Sequence, residues 1–226
     1  MQGIISAVRR NSLAENAGIK AGEKLCAVNG VSVHDIIELS YLVADEQIVL
    51  TIEDSECRQR QIVIEKYTDE ELGLEFEAAV FDGVTTCYNN CVFCFVDQMI
   101  PGMRESLYVR DDDYRLSFLY GNFITLTNMK EEDFEQIIKT HMSPLYISVH
   151  ATRPEVRCQM MNNRFAGELM SKINRLVEAG ISIHTQIVCC PGYNDGEVLE
   201  QTYRDLEALA PVSYTHLRAH ETLSDL

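Results

Sequence analysis

Three cysteines lie within eight residues of this chain, and their spacing limits what the surrounding segment can form more than any other feature. Cys87, Cys91 and Cys94 stand in the run CYNNCVFC, separated by three and then by two residues. Thiolates are soft ligands that select iron–sulfur clusters, zinc or copper(I). A four-iron cluster has a full thiolate set of four cysteines, so this set of three would leave one iron open to another ligand. The alternatives are a zinc site completed by a distant cysteine or histidine, or three unrelated buried thiols.

The charge and the cysteine content narrow the classes of partner and compartment. The 226 residues carry 19 basic and 35 acidic side chains, a net charge of −16, which disfavours a broad nucleic-acid-binding surface. Eight cysteines are too few for a disulfide scaffold of this length, and their clustering indicates metal ligation in a reducing compartment. The N-terminus lacks a signal-peptide pattern, and no apolar run approaches the roughly 18 residues of a membrane span. We therefore expect a cytoplasmic protein that does not enter a membrane.

The first 77 residues predict a small, mainly β domain. Apolar runs at 3–8, 24–28, 48–52 and 61–66 predict strands, and 34–42 is apolar at helical spacing. The run SLAENAGIKAGEKLCAVNG at 12–30 resembles bacterial PDZ domains, which implies a domain that binds an extended peptide at a sheet edge. The run LGLEF at 72–76 is interpreted as the peptide-binding loop of a permuted PDZ order or as a connector to the next domain. The alternative for the whole domain is a scaffold that binds no peptide.

Residues 78–213 alternate between strand and helix patterns. The predicted elements are strands at 78–81, 123–128, 145–150 and 181–188 and helices at 130–141, 169–180 and 195–209. This order predicts an α/β fold with parallel strands and right-handed crossovers. The acidic run at 111–113 is predicted to be a solvated patch on a loop.

Polar and apolar residues alternate on two of the predicted strands. The polar side chains that would share one side are Tyr146, Ser148 and His150 on the first strand and Ser182, His184 and Gln186 on the second. Because an ordinary barrel packs its interior with branched apolar side chains, two polar rows at matching depth predict an interior that holds a ligand. The alternative is that each of these side chains is a buried residue with its hydrogen bonds satisfied.

The cysteine run, with Phe93 before its third cysteine, resembles the signature of the radical S-adenosylmethionine (SAM) superfamily. The runs ISVH at 147–150, NR at 163–164, VEAGI at 177–181 and PGYND at 191–195 follow the order found in its barrels. The runs DDDYRLSFLYGNF at 111–123 and HTQIVCCPG at 184–192 resemble a bacterial family that joins a PDZ-like module, a radical SAM domain and a C-terminal domain of unknown function. The resemblance implies an α/β fold in which a PDZ-like domain at 1–77 precedes a partial (β/α) barrel at 78–213, with about four of six strand–helix units.

The resemblance also implies cofactors and the residues that bind them. Cys87, Cys91 and Cys94 would hold a 4Fe–4S cluster, and SAM would bind the open iron. SAM would be cleaved reductively to a 5′-deoxyadenosyl radical that abstracts hydrogen from an unknown substrate, which implies an electron donor such as flavodoxin or ferredoxin. The further candidates for contacts to SAM or substrate are Phe93, Thr127, Asn128, Ser148, His150 and Gln186. Thr127 and Asn128 stand where many members have Gly-Gly-Glu, a departure from the family's pattern, and no residue is assigned a catalytic role.

The last residues, 214–226, do not continue the family pattern. They resemble peptides translated from sequencing-adapter DNA, so we interpret the chain as a C-terminally truncated member with a non-native tail, in which His216 and His220 are not ligands. Two other classes of function stay open. One is a peptide-binding adaptor with structural zinc at the cysteines, and the other is an RNA-modifying radical SAM enzyme, which the acidic charge disfavours.

Overall fold

The computed structural model describes residues 3–209 and 213–219, and the chain forms two compact units, Met1–Val84 and Thr85–Leu226. The described elements of the first unit are β1 (Gly3–Val8), α1 (Leu13–Asn16), β2 (Lys24–Val28), β3 (Val31–Ser32), α2 (Ile36–Leu42), β4 (Gln47–Glu53), β5 (Gln59–Glu65) and β6 (Leu74–Phe76). The strands form an antiparallel sheet in the order β5-β4-β2-β1-β6, with β3 beside β2. The prediction of a small, mainly β N-terminal domain is confirmed.

The core of the first unit follows the alternation of its strands. Ile48, Leu50 and Ile52 occupy every second position of β4 and are fully buried, together with Ile5 of β1 and Leu25 of β2. Burying alternate side chains on one face of a sheet is what drives these short strands together.

One glycine is required where the chain enters β6. Gly73 has a φ of +78°, and a Cβ atom there would lie 2.3 Å from the Cβ atom of Ser12. Ser12 itself is fixed, because its side chain caps α1 by accepting a hydrogen bond from the backbone N–H of Glu15 at 3.2 Å. A side chain at position 73 would therefore meet both backbone strain and a steric clash.

The prediction of a strand at 78–81 is wrong. Only an isolated bridge between Val80 and Asp35 forms there. Phe81 is instead a core side chain of the first unit, and its ring centroid lies 4.9 Å from that of Phe76. Residues 78–81 therefore serve to close the first unit by packing.

The second unit alternates helices and parallel strands. Its described elements are α3 (Tyr114–Tyr120), α4 (Glu131–Thr140), β7 (Leu145–Ser148), α5 (Pro154–Met161), α6 (Leu169–Glu178), β8 (Ile183–Cys189), α7 (Glu197–Glu207) and β9 (Ser213–Ala219), with 3-10 turns at Glu105–Tyr108 and Arg164–Glu168. The sheet order is β7-β8-β9, and both pairs are parallel. An isolated parallel bridge between Ile124 and Ile147 adds a fourth strand position beside β7. The α/β prediction is confirmed, with the sheet of a partial barrel.

The segment at 123–128 differs from its prediction as a full strand. Leu126 has a φ of +59°, which interrupts the extended backbone, so only Ile124 bridges to the sheet. The two threonines that flank Leu126 hydrogen-bond to Asn89 through their side chains. The segment therefore ends as a loop beside the cysteines.

The C-terminal strand includes part of the stretch predicted to be a non-native tail. Ser213–Ala219 forms β9, paired in parallel register with β8 from Ile183 to Cys189. The prediction for 220–226 lies outside the described residues. In the part of the chain that is described, no helix is long and apolar enough to cross a membrane.

Candidate metal and cofactor site

The cysteine loop, residues 87–94, is docked on the carboxyl end of α5 through its backbone. The N–H groups of Asn90 and Val92, which flank Cys91, donate to the carbonyls of Met161 and Met160 at 3.1 and 2.9 Å. These carbonyls belong to the last turn of α5, where a helix has no intrahelical donors left to satisfy them. The loop thus supplies the missing partners and is held by them.

The three thiols of this loop are half-buried and lie within electrostatic range of one another. Burial raises the pKa of Cys87. Burial, and then the charges of Cys87 and Cys94, raise the pKa of Cys91 to about 12. Among residues 3–209 and 213–219, however, no group of three or more His, Cys, Asp or Glu side chains is arranged to hold a metal ion. The structure therefore brings the predicted ligands into one loop without converging their side chains on a metal position.

Asn89 connects the cysteine loop to two neighbouring segments. Its side chain is buried, and its amide N–H group lies 3.2 Å from the Sγ of Cys87 and 2.9 Å from the Oγ1 of Thr127. The amide oxygen accepts from the Nδ2 of Asn163, just after α5, at 2.7 Å. Sequence reasoning missed Asn89, although it stands between two predicted ligands in a pair of consecutive asparagines.

The acidic run at 111–113 is largely buried, so its prediction as a solvated patch is wrong. Asp112 and Asp113 are 3% and 0% exposed. Asp112 accepts from the backbone N–H and hydroxyl of Thr125 at 2.5 and 2.6 Å. Asp113 pairs with Arg115 at 2.8 Å and accepts from the backbone N–H of Thr85 at 3.0 Å. The two carboxylates are buried because they accept hydrogen bonds from buried donors that would otherwise have no partner.

The surroundings of these two aspartates shift their pKa values in opposite directions. Burial raises the pKa of Asp112, against the lowering effect of its hydrogen bonds to Thr125. Burial also acts to raise the pKa of Asp113, but the Arg115 guanidinium and the backbone donors outweigh it and lower that pKa below its ordinary value. The Asp113–Arg115 pair is therefore ionised and stabilising at neutral pH.

Replacing Asp113 with asparagine is expected to lower the free energy of unfolding by about 3–5 kcal/mol at pH 7, because it leaves a buried guanidinium without its carboxylate. A lowered folded-state pKa contributes stability that is complete above the unfolded value of about 3.9 and is lost as pH falls through the folded value. Urea unfolding of both proteins from pH 7 to pH 2 should give a constant difference above about pH 4 that shrinks below it. Asp112 titrates in both proteins, so its contribution cancels in the difference between their free energies of unfolding. A difference that persists unchanged at pH 2 would contradict the assignment of a lowered pKa to Asp113.

Thr127 and Asn128 lie directly beside the cysteine loop. Thr127 contacts Asn89, and the Nδ2 of Asn128 donates to the carbonyl of Thr86 at 2.9 Å and to Asp112 at 2.8 Å. Both side chains are thus held in a hydrogen-bond network that positions them next to the predicted ligands.

The two polar rows of β7 and β8 lie at matching depth, as their alternation predicts. Tyr146 pairs with His184 and Ser148 with Gln186 in the parallel register. The rings of Tyr146 and His184 stack with their centroids 4.7 Å apart. Ser148 is 8% exposed, yet neither its hydroxyl nor the side-chain amide of Gln186 has a hydrogen-bond partner among the described residues. These two groups are available to a ligand.

His150 leaves the strand that the sequence predicts for it. β7 ends at Ser148, and His150 takes a φ of +65°. Its Nδ1 accepts from the backbone N–H of Val188 at 3.2 Å, which places the ring proton on Nε2. Burial, with the nearby charge of Arg157, lowers the pKa of His150 to about 3, so the ring is neutral. The neutral ring packs on Phe93 of the cysteine loop, with the two centroids 4.2 Å apart.

Arg157 on α5 is a second residue that sequence reasoning missed. Its side chain is almost fully buried, and it donates to the carbonyls of Thr125, Ser148, Val149 and Ala166 at 2.9, 2.8, 2.9 and 2.5 Å. Burial lowers the pKa of Arg157 to about 10, so it stays charged at neutral pH. The guanidinium therefore fixes the carboxyl ends of β7 and of the bridging segment under the cysteine loop.

Comparison with known proteins gives two family matches. The family model described as a radical SAM-like domain matches residues 66–215, more than half of the chain, and the PDZ domain model matches residues 4–54. No curated protein matches the chain. Among solved structures, it is similar to a radical SAM methyltransferase from Sphaerobacter thermophilus at 16% identity and a TM-score of 0.31. That likeness covers 77% of this chain and 62% of the other, so this chain spans less than two thirds of that protein's length.

Proposed function

The chain belongs to the radical SAM-like domain family and carries an N-terminal PDZ domain, and from this premise we propose that it is an iron–sulfur enzyme that cleaves SAM reductively. Cys87, Cys91 and Cys94 would hold a 4Fe–4S cluster, with SAM on the open iron. When bound, the cluster supplies the electron that splits SAM into methionine and a 5′-deoxyadenosyl radical, which then acts on the substrate. A flavodoxin or ferredoxin would deliver that electron, and the cytoplasm is the compartment in which these thiols stay reduced.

The position of the cysteine loop is the observation that carries this proposal. Asn89 contacts Thr125 and Thr127, just beyond the bridge at Ile124, and Phe93 packs on His150, just beyond β7. Both contacts are at the carboxyl ends of parallel strands, where α/β sheets bind their ligands. A loop of soft ligands at this edge supports a metal cofactor that faces a ligand over the sheet.

The chemistry of the thiols also fits such a cofactor. Burial raises the pKa of the Cys87 and Cys91 thiols, which are therefore costly to ionise without a cation, and coordinated metal removes that cost by binding the thiolates. Phe93 would cover the cluster and the adenine ring, while Thr127 and Asn128, which lie beside the cysteine loop, would contact the SAM amino group. His150 acts through Phe93, which it holds against the sheet.

The proposal is tested on full-length chain reconstituted with iron and sulfide in the absence of oxygen. The reduced protein should give a 4Fe–4S EPR signal that shifts when SAM is added, because SAM binds the open iron. A signal that is indifferent to SAM would reject the open-iron site. Zinc bound in place of iron and sulfide would instead favour the alternative of a peptide-binding adaptor with a structural metal.

Ser148 and Gln186 are the expected contacts to SAM or substrate, because their polar groups lie unused at the same depth of the sheet. Replacing either with alanine should weaken SAM binding to the loaded protein about tenfold, the effect of one hydrogen bond of about 1.4 kcal/mol. The free energy of unfolding should change little, since no protein hydrogen bond is lost. Ser182, which is exposed just before β8, is the matched control, and equal affinity in all variants would remove both residues from the site.

We propose a separate binding role for the PDZ domain. β6 is the end strand of the described sheet order, and its outer edge leaves backbone donors and acceptors for an added strand. An extended segment of a protein partner would pair there. Backbone amide shifts of β6 on adding a partner peptide would test it, and shifts confined to other strands would reject it.

A further inference from the structure

Arg157 is a buried cation, and the buried carboxyl of Asp112 lies within its electrostatic range without contacting it directly. It forms no ion pair with Asp or Glu among the described residues, and its four hydrogen bonds all go to backbone carbonyls. Arg115, the other buried arginine of this unit, pairs directly with Asp113. A buried charge is costly without a counter-charge, and neutral carbonyls satisfy its donors without cancelling the charge.

The cysteine loop would bring a further negative charge to the end of the same helix once a cluster is bound. Arg157 and the carbonyls of Met160 and Met161 are on the same helix, less than two turns apart. Those carbonyls accept from the N–H groups on either side of Cys91. The loop also contacts a residue that Arg157 binds, because Asn89 donates to the hydroxyl of Thr125, and the carbonyl of Thr125 accepts from Arg157 at 2.9 Å.

We propose that Arg157 is the counter-charge of the cluster bound by the cysteine loop and that it sets how readily the cluster accepts an electron. This inference rests on the proposed function. One electron from the flavodoxin-type or ferredoxin-type donor makes the cluster and its thiolates more negative by one charge. A fixed cation in a low-dielectric surrounding stabilises the reduced state more than the oxidised state. Arg157 thus acts on the reduction potential of the cluster through its charge. Its guanidinium is held in place by the carbonyls of Thr125, Ser148, Val149 and Ala166.

The same carbonyls explain how one side chain links the cluster to the ligand side of the sheet. Arg157 binds the backbone of Ser148, whose hydroxyl is free for a ligand, and the backbone of Thr125, whose hydroxyl contacts Asn89. The charge of Arg157 and its hydrogen bonds can therefore be tested separately by substitution. A lysine would keep the charge and lose most of the hydrogen bonds, while a glutamine would lose the charge.

The test compares Arg157→Gln and Arg157→Lys with the wild type, and Arg153→Gln at the N-cap of the same helix is the matched control. Arg153 binds the side chain of Gln201 at 2.6 Å and makes no contact with the sheet carbonyls among the described residues. Each full chain is checked by circular dichroism, reconstituted without oxygen and titrated with a chemical reductant while the EPR signal is followed. The glutamine variant should shift the reduction equilibrium at least tenfold against the reduced cluster, which is 59 mV for one electron. The lysine variant should stay within about threefold of the wild type, and Arg153→Gln should not differ from it.

Three outcomes would overturn the inference. Equal potentials in the wild type and the glutamine variant would show that the charge does not act on the cluster. Equal shifts in the glutamine and lysine variants would assign the effect to hydrogen bonding. A glutamine variant that does not fold, beside a lysine variant that does, would make Arg157 an anchor of the fold. A wild-type chain that takes up no cluster would reject the proposed function itself before any variant is compared.

Discussion

Replacing Cys91 with alanine is expected to abolish iron–sulfur cluster binding, with at least a tenfold fall in iron and sulfide bound per chain after reconstitution without oxygen. The chain supplies three thiolates from one loop, and removing one leaves two, which do not hold a cluster that already has an open iron. The measurement is iron and sulfide content together with the visible absorption of the cluster. Cys87→Ala and Cys94→Ala are expected to have the same effect.

Cys158→Ala is the matched control for this prediction. Cys158 is also half-buried in the second unit, but its thiol donates to the carbonyl of Arg164 at 3.4 Å, away from the cysteine loop. Its replacement should leave cluster content unchanged. Equal iron content in the Cys91→Ala and wild-type proteins would contradict the assignment of the ligands.

The Cys91→Ala variant should lose cluster binding but keep most of the stability of the metal-free protein. Because the pKa of Cys91 is raised to about 12, the metal-free thiol is neutral at pH 7 and repels neither Cys87 nor Cys94. Alanine then removes only one half-buried sulfur atom, a change of about 1 kcal/mol in the free energy of unfolding. A large loss of stability in the metal-free variant would mean that Cys91 is a structural thiol.

The parts of the fold that the sequence predicts correctly are those with a local pattern. The alternation of Ile48, Leu50 and Ile52 predicts a half-buried strand, and β4 has that strand. The alternation in β7 and β8 predicts two polar rows at one depth, and the register has Ser148 beside Gln186. The spacing of the three cysteines predicts that their thiols lie close together, and the electrostatics of Cys91 include both Cys87 and Cys94. Each of these signals is complete within about ten residues, so it does not depend on what packs against it.

The features that the sequence does not predict depend on distant partners. An acidic run at 111–113 has the composition of a surface loop, and Asp112 and Asp113 are buried only because Thr125 and Arg115 offer donors inside. Arg157 stands in a helix without a pattern that would mark it as buried. The positive φ of Leu126, which ends the strand predicted at 123–128, likewise follows from tertiary contacts of its neighbours. Tertiary hydrogen bonding of this kind overrides local preference.

Replacing Asn89 with alanine is expected to detach the cysteine loop from the sheet and to lower the free energy of unfolding by about 2–4 kcal/mol. Asn89 is 2% exposed, and its loss would leave the hydroxyls of Thr125 and Thr127 and the amide of Asn163 without this shared partner. Buried polar groups that lose a partner cost more than the hydrogen bond contributed. Cluster content should fall with stability, because the Asn89 amide also contacts the sulfur of Cys87.

The adjacent asparagine provides a close control. Asn90 is exposed, and in the described part of the chain its one hydrogen bond is the backbone N–H bond to Met161, so Asn90→Ala keeps the described hydrogen bonds of the loop. Its free energy of unfolding should stay within about 0.5 kcal/mol of the wild type. Urea unfolding of the metal-free proteins separates the two variants before any cofactor is added, and cluster content then reports whether the loop still presents its thiols. If Asn89→Ala and Asn90→Ala lose equal stability, the loop is held by its backbone contacts to α5, and the side chain of Asn89 does not carry the connection to the sheet.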